Sequence, residues 1–340
     1  MTPPSNREAP EKATEERLQQ IRREAAETSA RGPAHNTQIQ GHDSYYGLPA
    51  LKPPVWTWEV PLYFFIGGIS GVSGCIAFIA HVFGADPAMI RLLLWIALGG
   101  AAICPALLIA DLGRQSRFLN MLRVFKLRST MSMGAWILVA FSGCAFLAVV
   151  SNEVELLGYR STIVSALRWL GEASGAMTGL LLASYTGVLL GATAIPVWFT
   201  HRRFLPAHFL TSGLGGSSAI LELSGFFMPA TQTLGFIAAG LEIVFEALFE
   251  IRKPDVEAPL HQGRSGIAFR IAGLLEGATA LMIRIIWGSA PGGRRAAAIC
   301  FLAGSLLSRY AWIWAGRVSA KQSDVPFTLQ RSGGAKTLSR

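Results

Sequence analysis

Eight long apolar blocks, separated by short polar segments, constrain this chain more than any other feature of its sequence. Their predicted limits are 60–83, 88–110, 131–151, 174–199, 204–225, 230–250, 267–287 and 296–315. Each block is long enough to cross a hydrocarbon core about 30 Å thick as a helix. In lipid the backbone must satisfy its own hydrogen bonds, and continuously apolar blocks lack the alternation of barrel strands. The sequence therefore predicts an all-α integral membrane protein with eight transmembrane helices.

Charged residues make up only 15% of the chain, against roughly 25% in soluble domains. They concentrate in the first 58 residues, in short loops and near the C-terminus. We expect a polar N-terminal tail (1–58), a first four-helix bundle (59–203), a second four-helix bundle (204–316) and a polar C-terminal tail (317–340). The N-terminal tail is compatible with disorder or with a segment that orders on a partner.

The distribution of basic residues predicts the orientation. An even number of spans places both termini on one side of the membrane. The loops predicted on that side, together with the C-terminal tail, carry far more Lys and Arg than the opposite loops. The positive-inside rule then predicts cytoplasmic termini in a bacterial inner (cytoplasmic) membrane. Basic loops also suit docking of an acidic partner, which would bias the same count.

Several polar side chains fall near the ends of the first spans. Glu59 begins the first span, Tyr63 follows one turn later, and Asp111 ends the second span. Because successive spans run antiparallel, we expect Glu59 and Asp111 at the same membrane face. Ionisable groups in or beside a span are candidates for function. Asp111 with Arg114 also suits a local ion pair, and Tyr185 also suits a core tyrosine bonded to a neighbouring helix.

The later spans and the first-span glycines each allow two interpretations. The later spans contain five ionisable residues: Glu222, Glu242, Glu246, Glu276 and Arg284. They could form structural ion pairs, such as Glu222 with Arg284, or they could form a proton path. The glycines of "IGGISGVSG" in the first span suit either close helix packing or space for a flat ligand.

Metal and haem motifs are missing from the sequence. A di-haem anchor needs facing pairs of histidines, but only His81 is plainly within a span, and His208 lies near the start of another. The four cysteines lack CxxC spacing and read as small buried apolar residues. We expect no haem in this chain, no metal site and no nucleic-acid partner.

Three segments together resemble the NrfD/PsrC family of polysulfide-reductase-like membrane subunits. They are "YYGLPALKPPVWTWEVPLYFFIGGISG" (45–71), "DLGRQSRFLNMLRVFKLRSTMSMGAW" (111–136) and "SYTGVLLGATAIPVW" (184–198). The resemblance implies a membrane anchor that exchanges electrons between a quinone (menaquinone or ubiquinone) and a docked, four-cluster ferredoxin-like iron–sulfur subunit. It also implies a molybdopterin catalytic subunit, for which a formate dehydrogenase-like enzyme is the favoured example.

The same resemblance implies roles for individual residues. The quinone pocket would contain four of them: Tyr63, Tyr185, Gly67 and Arg114. Glu59 and Asp111 would transfer protons, since quinol oxidation releases two. The docking surface would be basic, with Arg117, Arg123, Lys126 and Arg128. The chain departs from the family pattern at Tyr63, where a histidine occurs in polysulfide reductase, and at Val60, where the family has asparagine.

Two other functions remain open from the sequence. A redox-independent transporter would show inverted repeats with helices broken at the midplane of the membrane. A redox-coupled, proton-translocating subunit would use the acids and the arginine of the later spans as a proton path.

Overall fold

The computed structural model describes residues 51, 53–112, 114–123, 125–250 and 254–321. The predictions for the rest of the N-terminal tail and for residues 322–340 lie outside this part of the chain. Every regular element within the described residues is a helix, which confirms the all-α prediction. The described residues pack as one unit, and the division into two four-helix bundles stays a prediction.

Eight long helices are present among the described residues. In chain order they are α1 (Glu59–Val82), α2 (Pro87–Asp111), α3 (Thr130–Leu156), α4 (Thr162–Gly191), α5 (Leu205–Leu223), α6 (Pro229–Glu250), α7 (Gly263–Trp287) and α8 (Pro291–Lys321). Shorter helices lie between them: Gln115–Arg117, Asn120–Arg123, Pro196–Thr200 and Pro254–His261.

Seven of these described helices are long and apolar enough to cross a membrane, and α5 is the exception. The α5 helix carries polar residues such as His208 and Glu222, and it packs against α1, α4, α6 and α8. Its polar side chains are thereby buried against protein instead of lipid. The multi-pass prediction is confirmed, whereas the number of eight transmembrane helices stays a prediction.

The fourth predicted span, 174–199, has the wrong limits, because α4 covers Thr162–Gly191. The side chain of Ser161 caps its start by accepting a hydrogen bond from the backbone N–H of Val164 (3.2 Å). Glu172 is tolerated inside the helix because Arg168 donates to its carboxylate (2.8 Å). After α4, the ring of Pro196 disfavours a helical conformation at Ile195, which is extended (ψ 122°).

Other helices extend beyond their apolar blocks. The α3 helix continues five residues past the predicted limit of 151, and its added turn holds Glu153. The guanidinium of Arg91 binds that carboxylate through two hydrogen bonds of 2.7 Å. The α8 helix runs to Lys321, so the first described residues of the predicted C-terminal tail continue this helix. Paired or solvated charges let these ends continue as helix outside the apolar core.

The α1 helix lies among α2, α4, α5 and α8. A methyl group added at Gly71 would overlap the backbone of Gly179 on α4, and one added at Gly179 would overlap Gly71. On α5, a methyl group added at Gly213 would come within 2.7 Å of the Gly68 carbonyl oxygen. The glycines of the first span therefore allow close backbone packing, which is the first of the two interpretations.

The start of α1 and the end of α8 lie at the same end of the helix bundle. Tyr310 donates from its hydroxyl to the Trp58 carbonyl (3.1 Å), and Arg317 donates to the carbonyl of Trp56. We call this end of the protein the terminal end. The described helices therefore begin and end at one end of the bundle, and the side on which the two termini emerge stays a prediction.

Candidate functional site

A cavity of about 100 Å³ lies at the terminal end, between α1, α2, α3 and α4. Three of the predicted site residues, Tyr63, Asp111 and Tyr185, line it together. The other described residues around it are mostly apolar: Trp56, Val60, Phe64, Leu108, Leu112, Met121, Met131, Gly134, Ala135 and Leu189. A small number of convergent polar groups in an apolar pocket is typical of a ligand site.

Tyr63 forms one wall of the cavity, and only 2% of its surface is exposed. No hydrogen bond joins its hydroxyl to another residue in the described part of the chain, so this group is available to a ligand. Gly67 lies behind Tyr63 and does not line the cavity: a methyl group added there would sit 3.7 Å from the tyrosine ring and 3.5 Å from the Cys104 sulfur. A methyl group would therefore fit at Gly67 in ordinary van der Waals contact with both neighbours.

Tyr185 lines the same cavity from α4, and its side chain also links α4 to α3. Its hydroxyl donates to the backbone carbonyl of Thr130, the first residue of α3. Its ring fills the space that a side chain at Gly134 would occupy. Because its proton is engaged, the Tyr185 oxygen is placed to accept a hydrogen bond from a ligand. Sequence reasoning treated these roles as alternatives, and the geometry allows both.

Asp111 in the cavity lining is joined by Thr57 to a second carboxylate, that of Glu59. Thr57 offers its backbone N–H (3.3 Å) and its hydroxyl (3.2 Å) to Asp111 Oδ1, and the same hydroxyl contacts the Glu59 carboxylate. One hydroxyl has one proton, so it can donate to only one carboxylate at a time. Thr57 was missed from the sequence, where its position two residues before Glu59 was the only signal.

Arg114 lies outside this arrangement. It is exposed, it does not line the cavity, and no ion pair joins it to Asp111 among the described contacts. The predicted docking residues Arg123, Lys126 and Arg128 are also exposed, in the segment that leads to α3. The side chain of Arg117 is outside the described part. The exposed basic residues therefore form a positive surface close to the α2 end of the cavity.

An apolar cleft of about 320 Å³ continues from the cavity between α2 and α3. Both spaces are lined by Leu108, Leu112, Met121 and Ala135. The cleft also reaches Val139, which is 45% exposed on the outer face of α3. The tyrosine-lined cavity thus adjoins an apolar cleft that reaches the outer face of α3.

Comparison with known proteins shows that the cavity lies in a region of the chain that matches a protein family. The family described as polysulphide reductase, NrfD, matches residues 48–252, which include every residue that lines the cavity. The chain belongs to the NrfD family. Membership indicates a membrane subunit of a redox complex, and the resemblance seen in the sequence is confirmed.

One curated relative is Protein NrfD of Escherichia coli (strain K12), with 29% identity over 187 residues. The aligned region covers 49% of this chain and 58% of the relative. The chain therefore spans less than two thirds of that relative's length.

A second buried polar cluster lies between α5, α6, α7 and α8. His208 bonds through Nδ1 to a Glu242 carboxylate oxygen (2.6 Å) and through Nε2 to the Ser308 hydroxyl (3.3 Å). One ligand atom each from His208, Glu242 and Glu276 lies within 4.8 Å of the others. Arg309, also buried, interacts electrostatically with both carboxylates. Such a set of donors could hold a divalent metal, but the guanidinium already supplies part of the positive charge.

The sequence analysis identified only some members of this buried polar cluster. Glu242 and Glu276 were recognised as acids within spans, whereas the roles of His208 and Arg309 were missed. The signal for Arg309 was a charged residue in the middle of an apolar block. Glu276 lies in a π-helical segment, Leu274–Thr279, and such segments are frequent at functional sites.

Three glutamates on α6 lead from the terminal end toward this cluster. Glu250 is exposed, Glu246 is half-buried and Glu242 is buried, at successive four-residue intervals. A cavity of about 10 Å³ lies between Glu246, Glu276 and His208. That volume is about the size needed for one water molecule. The acids therefore form a graded polar path into an otherwise apolar bundle.

At the opposite end of these helices, the predicted Glu222–Arg284 pair is confirmed. Arg284 donates to the Glu222 carboxylate through both terminal nitrogens (2.9 and 2.8 Å). Arg294 donates to the same carboxylate (2.9 Å) and to the Thr231 hydroxyl (2.7 Å). The single carboxylate of Glu222 therefore compensates the charge of two buried guanidinium groups.

Proposed function

We propose that this chain is the quinone-reactive membrane anchor of a respiratory oxidoreductase complex. It exchanges electrons between a membrane quinone, menaquinone or ubiquinone, and an iron–sulfur subunit docked at the terminal end. The observation that carries this proposal is the cavity in which Tyr63, Asp111 and Tyr185 meet, within the region that matches the family.

The partners and the orientation belong to the same proposal. The docked subunit is a four-cluster ferredoxin-like protein, and it serves a molybdopterin enzyme of the formate dehydrogenase-like class. The exposed basic surface of Arg123, Lys126 and Arg128 suits an acidic face on that subunit. In the bacterial inner membrane the terminal end then faces the cytoplasm, as the positive-inside rule favours.

The cavity suits the proton chemistry of a quinol. Tyr63 donates a hydrogen bond to one ring oxygen, and the Tyr185 oxygen accepts one from a quinol hydroxyl. Protons released on oxidation pass to Asp111 and, by way of the Thr57 hydroxyl, to Glu59 at the surface. The apolar cleft between α2 and α3 accommodates the isoprenoid tail, whose hydrocarbon needs no polar partner.

Two substitutions in the purified complex test the site. We expect Asp111→Asn to lower quinol turnover about 10²-fold, because a proton acceptor in a transfer step contributes about that much or more. We expect Tyr63→Phe to raise the KM for quinol about tenfold, since one lost hydrogen bond costs about 1.4 kcal/mol at most. The measurement is steady-state quinol oxidation by the complex.

The matched control is Tyr159→Phe, which removes a hydroxyl from an exposed tyrosine beyond the end of α3. It should leave both kinetic constants unchanged. Activity of the catalytic subunit with a soluble dye should be unchanged in all variants, which shows that the complex is assembled. Unchanged quinol kinetics in both site variants would contradict the assignment of this cavity.

The second polar cluster favours an additional function, redox-linked proton translocation. Two carboxylates, one guanidinium and one imidazole lie in a closed apolar environment, and one bound proton makes the group neutral overall. The α6 glutamates give that proton a route from the terminal end. In contrast, the backbone of every described span is helical throughout, so the broken helices expected of a transporter do not appear in this part.

Glu242→Gln tests proton translocation separately from quinone chemistry. In proteoliposomes that contain the complex, we expect quinol turnover to persist while the number of protons translocated per electron falls by half or more. Glu250→Gln is the control, because water can replace an exposed carboxylate at the start of the path. An unchanged proton-to-electron ratio in Glu242→Gln would argue that the cluster has a structural role only.

A further inference from the structure

We propose that a cleft at the terminal end, between the start of α7 and the end of α8, binds the phosphate headgroup of an anionic phospholipid. The cleft has a volume of about 660 Å³. Its polar lining comes from Gln262, Arg264, Ser265 and Arg317, and Trp314 forms part of its apolar wall. It shares no lining residue with the quinone cavity.

The positive charge of the cleft predicts a negatively charged ligand. It contains two guanidinium groups, and none of the described residues that line it is acidic. Arg264 is exposed and forms no ion pair within the described part of the chain. Arg317 donates to the Trp56 carbonyl, but a guanidinium has five N–H donors, so others remain. Phosphate oxygens are strong acceptors for such donors.

Two other arginines, Arg91 and Arg168, show the contrasting arrangement. Arg91 is bound to Glu153, and Arg168 is bound to both Glu155 and Glu172. Those guanidinium groups have their counter-charges within the chain. The two arginines of the cleft are therefore available to bind an anionic group that does not belong to the chain.

Aromatic residues indicate the depth of the cleft in the membrane. An adjoining cavity of about 290 Å³ shares Trp314 and Arg317 with the cleft and adds Trp58 and Tyr310. Trp58 is 58% exposed and Trp314 is 39% exposed. Exposed tryptophan and tyrosine side chains favour the headgroup level of a bilayer. The two arginines therefore lie at the depth where lipid phosphates are found.

The surface of α7 below Arg264 carries three exposed apolar side chains, with the exposed Arg270 beside them. Ile267, Ile271 and Leu274 are 62%, 45% and 54% exposed. With Arg264 they follow spacings of three and four residues, so they share one face of the helix. A ligand with a phosphate at one end and hydrocarbon at the other matches this face. We therefore assign the cleft to a phospholipid instead of a free phosphate ion, and basic pockets between membrane helices commonly bind anionic headgroups.

The test uses the purified full chain in zwitterionic detergent and measures its thermal unfolding. Micelles supplemented with phosphatidylglycerol should raise the Tm of the unmodified protein, because a ligand that binds only the folded state stabilises it. Phosphatidylcholine should raise it much less. Arg264→Gln should lose at least half of the response to phosphatidylglycerol. The control, Arg295→Gln, removes an exposed arginine near the start of α8 and should keep the full response.

Two results would overturn the proposal. If phosphatidylglycerol raised the Tm of Arg264→Gln as much as that of the unmodified protein, the lipid would act elsewhere. If inorganic phosphate at the same concentration gave the same rise, the cleft would be a free-anion site. Phospholipid extracted from the purified protein and counted by mass spectrometry gives an independent readout: Arg264→Gln should carry less phosphatidylglycerol. None of these measurements depends on quinone turnover.

Discussion

Glu222→Gln is expected to be the most destabilising single substitution in the α5–α8 half of the protein. Glu222 is completely buried, and Arg284 and Arg294 are 2% and 5% exposed. The amide keeps the size of the side chain but removes the only charge that both guanidinium groups contact among the described residues. Removing one partner of a buried ion pair typically costs about 3–5 kcal/mol. The measurement is the free energy of unfolding in mixed micelles titrated with sodium dodecyl sulfate.

Glu153→Gln is the matched control for this prediction. It removes the carboxylate of another bidentate arginine pair, but the side chain of its partner, Arg91, is 53% exposed. Water can solvate the remaining guanidinium, and exposed pairs are worth about 0–1 kcal/mol. The double variant Glu222→Gln/Arg284→Gln should recover part of the loss, because one uncompensated charge is removed. Equal losses in Glu222→Gln and Glu153→Gln would contradict the idea that burial sets the cost.

The helices of this protein were predictable because the bilayer fixes their length and their apolar composition. Their ends were less predictable, since the charges near them are compensated by distant partners. Glu172 falls outside the predicted fourth span, 174–199, yet Arg168 and His81 both bind its carboxylate within the helix bundle. The pair Arg91–Glu153 joins α2 to α3 in the same way. The spacing of residues along the sequence does not reveal contacts between helices.

Some features of the candidate site could likewise be predicted from the sequence, and others could not. The antiparallel order of the first two spans was enough to predict that Glu59 and Asp111 meet at one face, and both contact Thr57 in the structure. The hydrogen bond from Tyr185 to Thr130 depends on how α3 crosses α4, which the sequence does not specify. Gly67 was predicted in the pocket because a first-span glycine leaves space for a flat ligand, but it lies behind the Tyr63 ring and does not line the cavity.

Gly134→Val is expected to abolish most of the quinone reactivity while the complex still assembles. A side chain at this position would occupy the space of the Tyr185 ring, so the ring must move into the cavity that both residues line. Displacing a positioned group by about 1 Å can lower turnover about 10²-fold. We expect a loss of at least that size in quinol oxidation, together with weaker quinone binding measured by quenching of tryptophan fluorescence.

Gly143→Val separates this effect from the cost of a β-branched residue in a helix. Gly143 lies on the same helix, α3, and nothing lies within 4 Å of a methyl group added there. Both variants gain the same small amount of helix propensity, about 0.5 kcal/mol or less, because valine ranks above glycine, but only one fills the cavity. Normal quinol turnover in Gly143→Val with a large loss in Gly134→Val is the expected pattern. If Gly134→Val oxidised quinol at the normal rate, the space between Tyr63 and Tyr185 would not be where the quinone ring reacts.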